Sequence, residues 1–494
     1  MGNEIAKVNG VAFGSIGKVN GVTASNINHI NGKDLVISVD YSIQDMSNED
    51  ALNSGRSWGL SNSYHPGTGQ MVFVYGDDGN SSYGTVRTVL LSGTTAYMGD
   101  EYVYATVTTY LTQLIYDSTN NRMALCSMDT TNYNEIAVYS FTVGSPNSAT
   151  DPYNIAASDF NDTGGSSSKH IPDANDGSNY TQTCGANIFD YNPNYDTYSI
   201  MFERDSDDAN CIRLCKMSST GAWSSGSEVV FENSANDLFT SCYESSIQRT
   251  VLRFNTGANN SSPSGSKWDV VKQSGTDNLT ITLAGSFNAA GKLPNAPSSA
   301  GRLMAYMPNA GTSNNGFLMY CGGISSANEL YYTRLTGNDG SGYSVDVQGD
   351  IGNYGYLGGT NGNSTWCGVY YVKGRDRMIA FTFNVETAYN DGTDIKTLMG
   401  HIIEWGGADD EDAMNDVAIG NQSTYPAYGG RVRFVETATT GSQMRPYDTY
   451  GDCAINDRTA FGAMLGAVTN YSNSKTQFTR LIEVGDRGTT GATP

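Results

Sequence analysis

Several stretches of this chain carry residue types that could do chemistry. Asp190-x-Asn192-x-Asn194-x-Asp196 sets four oxygen-bearing side chains at alternate positions. Such a loop can hold Ca²⁺. Pro193 interrupts it and the customary turn glycine is missing, so these four residues form a candidate calcium loop that departs from the usual pattern. No other cofactor is expected. Carboxylates cluster at Asp77-Asp78, at Asp205, Asp207 and Asp208, and at Asp409-Asp410-Glu411-Asp412. Paired carboxylates hydrolyse glycosides only at a defined separation across a cleft. Here they sit among Gly and Asn, and they read as acidic loop tips in solvent. His29, His65, His170 and His401 lack a His or Cys partner at metal-ligand spacing. His65 reads as a solvent-facing turn residue. Cys211 and Cys215 are four apart, without a second pair close by in sequence. Most of the eight cysteines sit in or beside apolar runs, as buried free thiols made in a reducing cytosol do. The chain has no nucleophile elbow, phosphate-binding loop or His-Glu-x-x-His motif. It is therefore expected not to be an enzyme, and no catalytic residue is assigned.

The elements that would position these groups are strands. The chain has 494 residues, with 57 Gly, 32 Tyr and 11% aromatics. Gly and Asn punctuate short apolar runs, as in folds made of many strands and tight turns. The net charge of −22 argues against nucleic acid, whose phosphates demand Lys and Arg. No run approaches the ~20 apolar residues that span a bilayer, so membrane insertion is not expected. Nor does a basic region followed by an apolar core open the chain, so no signal peptide is expected.

Two repeats organise the sequence. The first lies in residues 1–35 and has a period of 11: Ile5-Ala-Lys-Val8-Asn9-Gly10, Ile16-Gly-Lys-Val19-Asn20-Gly21, Ile27-Asn-His-Ile30-Asn31-Gly32. Asn-Gly is the strongest short signal for a two-residue hairpin turn, because both positions need φ > 0. Each unit reads as a tiny hairpin with two apolar anchors. An isolated hairpin is marginal in water. The units therefore need a partner, and these twelve residues are the candidate anchor of a docking or oligomerisation arm.

Residues 36–56 read as a connector. The second repeat fills 57–494: an apolar strand, a polar turn, then a second apolar strand. Its copies align at Tyr64, Tyr116, Tyr191, Tyr243, Tyr306, Tyr371 and Ile455. Spacings above about 40 residues, with several strands each, fit propeller blades. The expected fold is all-β: a propeller, with seven the leading blade count, behind a short β-turn arm.

The tandem Lys-Val-Asn-Gly-Val units resemble N-terminal repeats of structural proteins of tailed bacteriophages, marine and cyanobacterial ones above all. The Tyr116-Asp-x-x-x-Asn-Arg-Met123 unit looks like the propeller-type repeats of phage tail-fibre and related virion proteins. The resemblance implies a virion appendage (tail fibre, head fibre or capsid decoration) made in the host cytoplasm. Its arm would bind other virion proteins or sister chains, and its propeller could contact a host glycan or receptor. The competing readings are a carbohydrate-active propeller enzyme and a lectin-like glycan-binding module. Ser218-Ser-Thr-Gly-Ala-Trp223 is a fragment of the box that sialidase-type propellers carry, without its Asp.

Overall fold

The computed structural model describes residues 7–8, 11–12, 18–19, 22–23, 29–30, 33–34, 39–45, 52–54, 57–92, 95–129, 135–161, 189–204, 207, 209–233, 239–257, 265–289, 304–308, 316–324, 327–353, 365–372, 377–386, 395–403, 453–458, 463–470 and 475–485. They are strands and their connections, with two 3₁₀ turns at Asp78–Asn80 and Ala157–Asp159.

The arm forms three hairpins: β1 (Lys7–Val8) with β2 (Val11–Ala12), β3 (Lys18–Val19) with β4 (Val22–Thr23), and β5 (His29–Ile30) with β6 (Lys33–Asp34). Val8 faces Val11, Val19 faces Val22 and Ile30 faces Lys33. Each connection is thus two residues long and coincides with an Asn-Gly pair, as the sequence pattern requires.

After β7 (Val39–Asp45), the rest is a succession of antiparallel sheets. The first holds β8 (Ser57–His65), β9 (Gln70–Asp77) and β10 (Tyr83–Ser92), with β11 (Thr95–Met98) on β10. The long β12 (Tyr102–Asp117) serves two sheets. Its start pairs with β10 through two register shifts, and from Thr109 it pairs with β13 (Arg122–Asp129), which is followed by β14 (Glu135–Phe141). The third sheet is β15 (Phe189–Asn192), β16 (Thr197–Arg204) and β17 (Ala209–Met217), with β18 (Trp223–Ser225) and β19 (Val229–Glu232) on β17. The fourth is β20 (Phe239–Glu244), β21 (Arg249–Thr256) and β22 (Gly265–Ser274), with β23 (Thr280–Leu283) and β24 (Phe287–Asn288) on β22. The fifth is β25 (Met304–Met307), β26 (Phe317–Ile324), β27 (Ala327–Asn338) and β28 (Gly342–Asn353). β29 (Thr365–Val372), β30 (Arg377–Glu386) and β31 (Ile395–Ile403) make the next. β32 (Cys453–Arg458), β33 (Ala463–Asn470) and β34 (Lys475–Gly485) make the last.

The leading strands of consecutive sheets lie against one another: β8 on β12, β12 on β15, β15 on β20, β20 on β25, β25 on β29, β29 on β32, and β32 back on β8. The succession closes on itself, which is the plan of a β-propeller. The seven aligned sequence positions all fall on these leading strands.

Packing follows from this plan. Every residue of β9 is buried. Met71, Phe73 and Tyr75 join one apolar cluster, whereas Val72 and Val74 join another with Leu114, Met123 and Leu125 of the second sheet. Period-2 alternation here sends neighbours into opposite cores, because both faces of the sheet are covered. That is why the second strand of each copy reads as a continuous apolar run.

Residues 39–45, within the 36–56 stretch, form a strand of the last sheet. β7 pairs with β34 from Asp45 against Thr479 to Val39 against Gly485. Leu52 is fully buried beside Leu60 and Met71.

Candidate functional site

The direction of β7 fixes where the arm leaves the ring. β32 runs from the start of a leading strand towards its first-hairpin turn, β33 returns, and β34 runs out again to Gly485, opposite Val39. The arm therefore departs from the outer edge of the last sheet, on the face that carries the first-hairpin turns. Val8, Val19 and Ile30 each close a strand of the arm. Ile5, Asn9, Gly10, Ile16, Asn20, Gly21, Ile27, Asn31 and Gly32 lie outside the described residues.

That same face carries a row of similar turns. The residue before the second strand has φ +71° at Gly69, +52° at Asn121, +51° at Asp196, +57° at Gln248 and +67° at Gly316. Left-handed backbone at one fixed position explains the Gly, Asn and Asp found there. The residue that opens each of the first four turns is polar and buried: His65, Asp117, Asn192 and Glu244 are at most 1% exposed. Asp117 Oδ1 accepts from the backbone N–H groups of Thr119 at 2.8 Å and Asn120 at 3.0 Å. Asn192 Oδ1 accepts from Asn194 N at 3.1 Å, and Glu244 Oε1 from Ser246 Oγ at 2.9 Å. Thr68 Oγ1 lies 3.1 Å from His65 Nδ1. Side chains thus satisfy donors that the turn leaves unpaired.

The same caps fasten one sheet to the next. Tyr198 of the third sheet donates to Asp117 Oδ2 at 2.6 Å. Asn192 Nδ2 donates to Gln273 Oε1 of the fourth sheet at 3.2 Å, and Gln273 Nε2 donates to Thr197 Oγ1 at 2.5 Å. The aligned tyrosines reach the other way, onto the preceding turn. Tyr116 meets the His65 ring edge-on at 4.9 Å, and the Tyr191 hydroxyl lies 2.8 Å from Thr119 Oγ1. Arg249 bonds Tyr195 of the third sheet and pairs with Asp339 of the fifth at 2.5 Å.

Burial and the Asp117 carboxylate push the Tyr198 hydroxyl far above its usual range, so it stays a donor. Burial pushes Glu244 up to about 8, and lowers His65 below the ordinary imidazole value.

Two sequence readings are corrected. His65 is not a solvent-facing turn residue: it is 1% exposed, under Thr68 and against Tyr116. Asp77 is not a solvated tip either. It is buried and accepts from Asn53 Nδ2 at 2.8 Å and Gly79 N at 2.9 Å, which fixes the 3₁₀ turn. In both places the polar group looked like loop surface, but it satisfies backbone that the next element covers. Asp207, an exposed residue, forms an ion pair with Arg204 at 2.6 Å. Asp205, Asp208 and residues 409–412 lie outside the described residues.

The calcium candidates have protein partners. Asn192 caps its turn, Asp196 Oδ1 accepts from Tyr191 at 3.1 Å, and Asp196 Oδ2 faces Lys216 Nζ at 3.5 Å. Asn194 is exposed and contributes its backbone N–H to the cap, while Asp190 is buried on β15 opposite Ser199. Among the described residues, no three of His, Cys, Asp and Glu gather as metal ligands. Cys126, Cys211, Cys215 and Cys242 are buried and in no disulfide among the described residues. No helix among the described residues is long and apolar enough to cross a membrane.

The chain matches no protein-family model, and no curated protein matches it. Among solved structures it is similar to the polysaccharide lyase Uly1, at 8% identity over 86% of this chain and 90% of that chain, with a TM-score of 0.44. It is similar to the exo-β-1,3-galactanase of Phanerochaete chrysosporium, at 10% identity over 74% and 80%, with a TM-score of 0.32. A third likeness is the α-L-arabinofuranosidase Arb93A of Fusarium graminearum, at 10% identity over 74% and 97%, with a TM-score of 0.35. The activities named are those of the three enzymes.

Proposed function

We propose that this protein is a non-enzymatic display module: a ring of seven blades carried on a larger particle by its N-terminal arm. The particle, on the resemblance of the Asn-Gly repeats, is a tailed-phage virion, and the protein is one of its appendages. One observation carries the reading. Among the described residues, three hairpins with two-residue strands pair each within itself and precede the strand at the outer edge of the sheet that closes the ring. A two-stranded hairpin is marginal alone, so three in tandem call for a surface to lie on.

The polar groups of the turn face also support a structural role. They cap turns and join sheets, which is how a rigid carrier uses buried polarity.

The test is transplantation. Residues 1–38 fused to an unrelated monomeric fluorescent protein should bring it onto the particles. The chain lacking these residues should fold and stay in the supernatant. Cleavage of a polysaccharide by the purified full-length chain would replace this reading with the carbohydrate-active one.

A further inference from the structure

The chain between arm and ring limits which face of the ring can lie next to the partner. β6 ends at Asp34, and β7 begins at Val39, paired with Gly485 at the turn-face end of the last sheet. Five residues of fully extended chain reach at most about 17 Å. The surface under the third hairpin therefore stands within that distance of the rim of the turn face.

The turn face has the make-up of a contact surface. The leading strands touch one another around the ring, so their ends encircle its axis. Tyr64, Tyr116, Tyr191 and Tyr243 are partly exposed at one equivalent position on four of these strands, next to the residue that opens each turn. The Tyr116 ring is held against His65 and the Tyr191 hydroxyl by Thr119, so contact costs these side chains little freedom. The exposed tips of the four turns are Pro66-Gly67, Ser118-Thr119, Pro193-Asn194 and Ser245-Ser246. These tips are uncharged in a chain of net charge −22. Charge stands further out on the same face: Asp277 is exposed in the turn after β22, and Asp339, in the turn after β27, pairs with Arg249. At the opposite ends of the first and third sheets, Asp78 and Asp207 are exposed instead. Tyrosine without charge at the centre, and charge kept to the rim, is the layout of a protein–protein interface.

We infer that the turn face is a second contact surface, seated on an uncharged patch of the same protein surface that holds the arm, with the opposite face directed outward. The inference rests on the proposed attachment of the arm. The arm is the tether, and it presents the face to that patch at high effective concentration.

Two double variants of the full-length chain test this. One carries Ser118→Glu and Asn194→Glu on the turn face. The other carries Asn80→Glu, in the 3₁₀ turn after β9, and Asn233→Glu, just after β19, both at the opposite face. All four positions are exposed, and each variant adds two negative charges. Both are titrated against purified particles by co-sedimentation, beside the parent and the chain lacking residues 1–38. The turn-face pair should bind at least about tenfold more weakly than the parent, because its charges are buried without partners. The opposite-face pair should bind as the parent does, and both pairs should keep the parent's melting temperature. Ser118→Lys with Asn194→Lys should weaken binding too, and tighter binding would overturn the uncharged patch. If the turn-face Glu pair binds like the parent, or both Glu pairs weaken binding equally, the inference is wrong. The arm reading then still stands, provided the chain lacking residues 1–38 leaves the pellet. If that chain still sediments but the turn-face Glu pair is lost, the arm reading fails and the contact surface stands. A parent that does not sediment overturns both.

Discussion

The arm and the ring both repeat a hairpin, and they use it in opposite ways. In the arm the strands are two residues long and, among the described residues, each pairs only within its own hairpin. In the ring, two of the first hairpins open on a buried polar residue whose second oxygen or nitrogen serves the next sheet: Asp117 serves Tyr198 and Asn192 serves Gln273. Repetition in the ring makes interfaces within the molecule. Repetition in the arm, on the proposed reading, presents the same surface three times to a partner. On the proposed reading stability and attachment are separable, with the boundary between β6 and β7.

The largest effect expected from breaking this separation comes from β7. Removing residues 1–45 takes the outer strand off the last sheet and bares β34. An uncovered strand edge invites association. This truncation should lower the melting temperature by roughly 5–10 °C and promote aggregation, read by scanning calorimetry and light scattering. Removing only residues 1–38 should leave the melting temperature within about 1 °C.

Next in size is Asp117→Ala. It strands two turn N–H groups and the buried Tyr198 hydroxyl, at a cost of about 3–4 kcal/mol in denaturant unfolding. Tyr198→Phe keeps the turn cap and should cost about 1–2 kcal/mol.

Glu244 sharpens the comparison through pH. Its folded pKa, about 8, stands above its ordinary value of 4.5. Between those values the native state holds a proton that the unfolded chain has released, so stability falls as pH rises through this window. Glu244→Gln removes that contribution. Its melting temperature should match the parent at pH 4 and exceed it at pH 8.5, by an amount worth up to roughly 4 kcal/mol. The smallest effect belongs to the arm: Gly10, Gly21 and Gly32 changed together to Ala should leave the ring's melting temperature unmoved.

The sequence made some of this legible and hid the rest, for physical reasons. The leading strands were readable at Tyr64, Tyr116, Tyr191, Tyr243, Tyr306, Tyr371 and Ile455, because turn chemistry and an apolar run are local signals. The arm hairpins were readable because Asn-Gly dictates its own turn. β7 was hidden, since its pairing of Val39 with Gly485 joins opposite ends of the chain and leaves no local mark. The division of β12 between two sheets was hidden for the same reason. At His65 a polar residue before Pro-Gly looks like a loop tip, and only the neighbouring sheet makes it interior.

The central claim is that attachment resides in residues 1–38. The most direct measurement is the fraction of full-length and arm-less protein that co-sediments with purified particles, both chains first matched for melting temperature. The account predicts that the arm-less chain keeps its stability and loses the particles. Equal co-sedimentation of the two chains would contradict it.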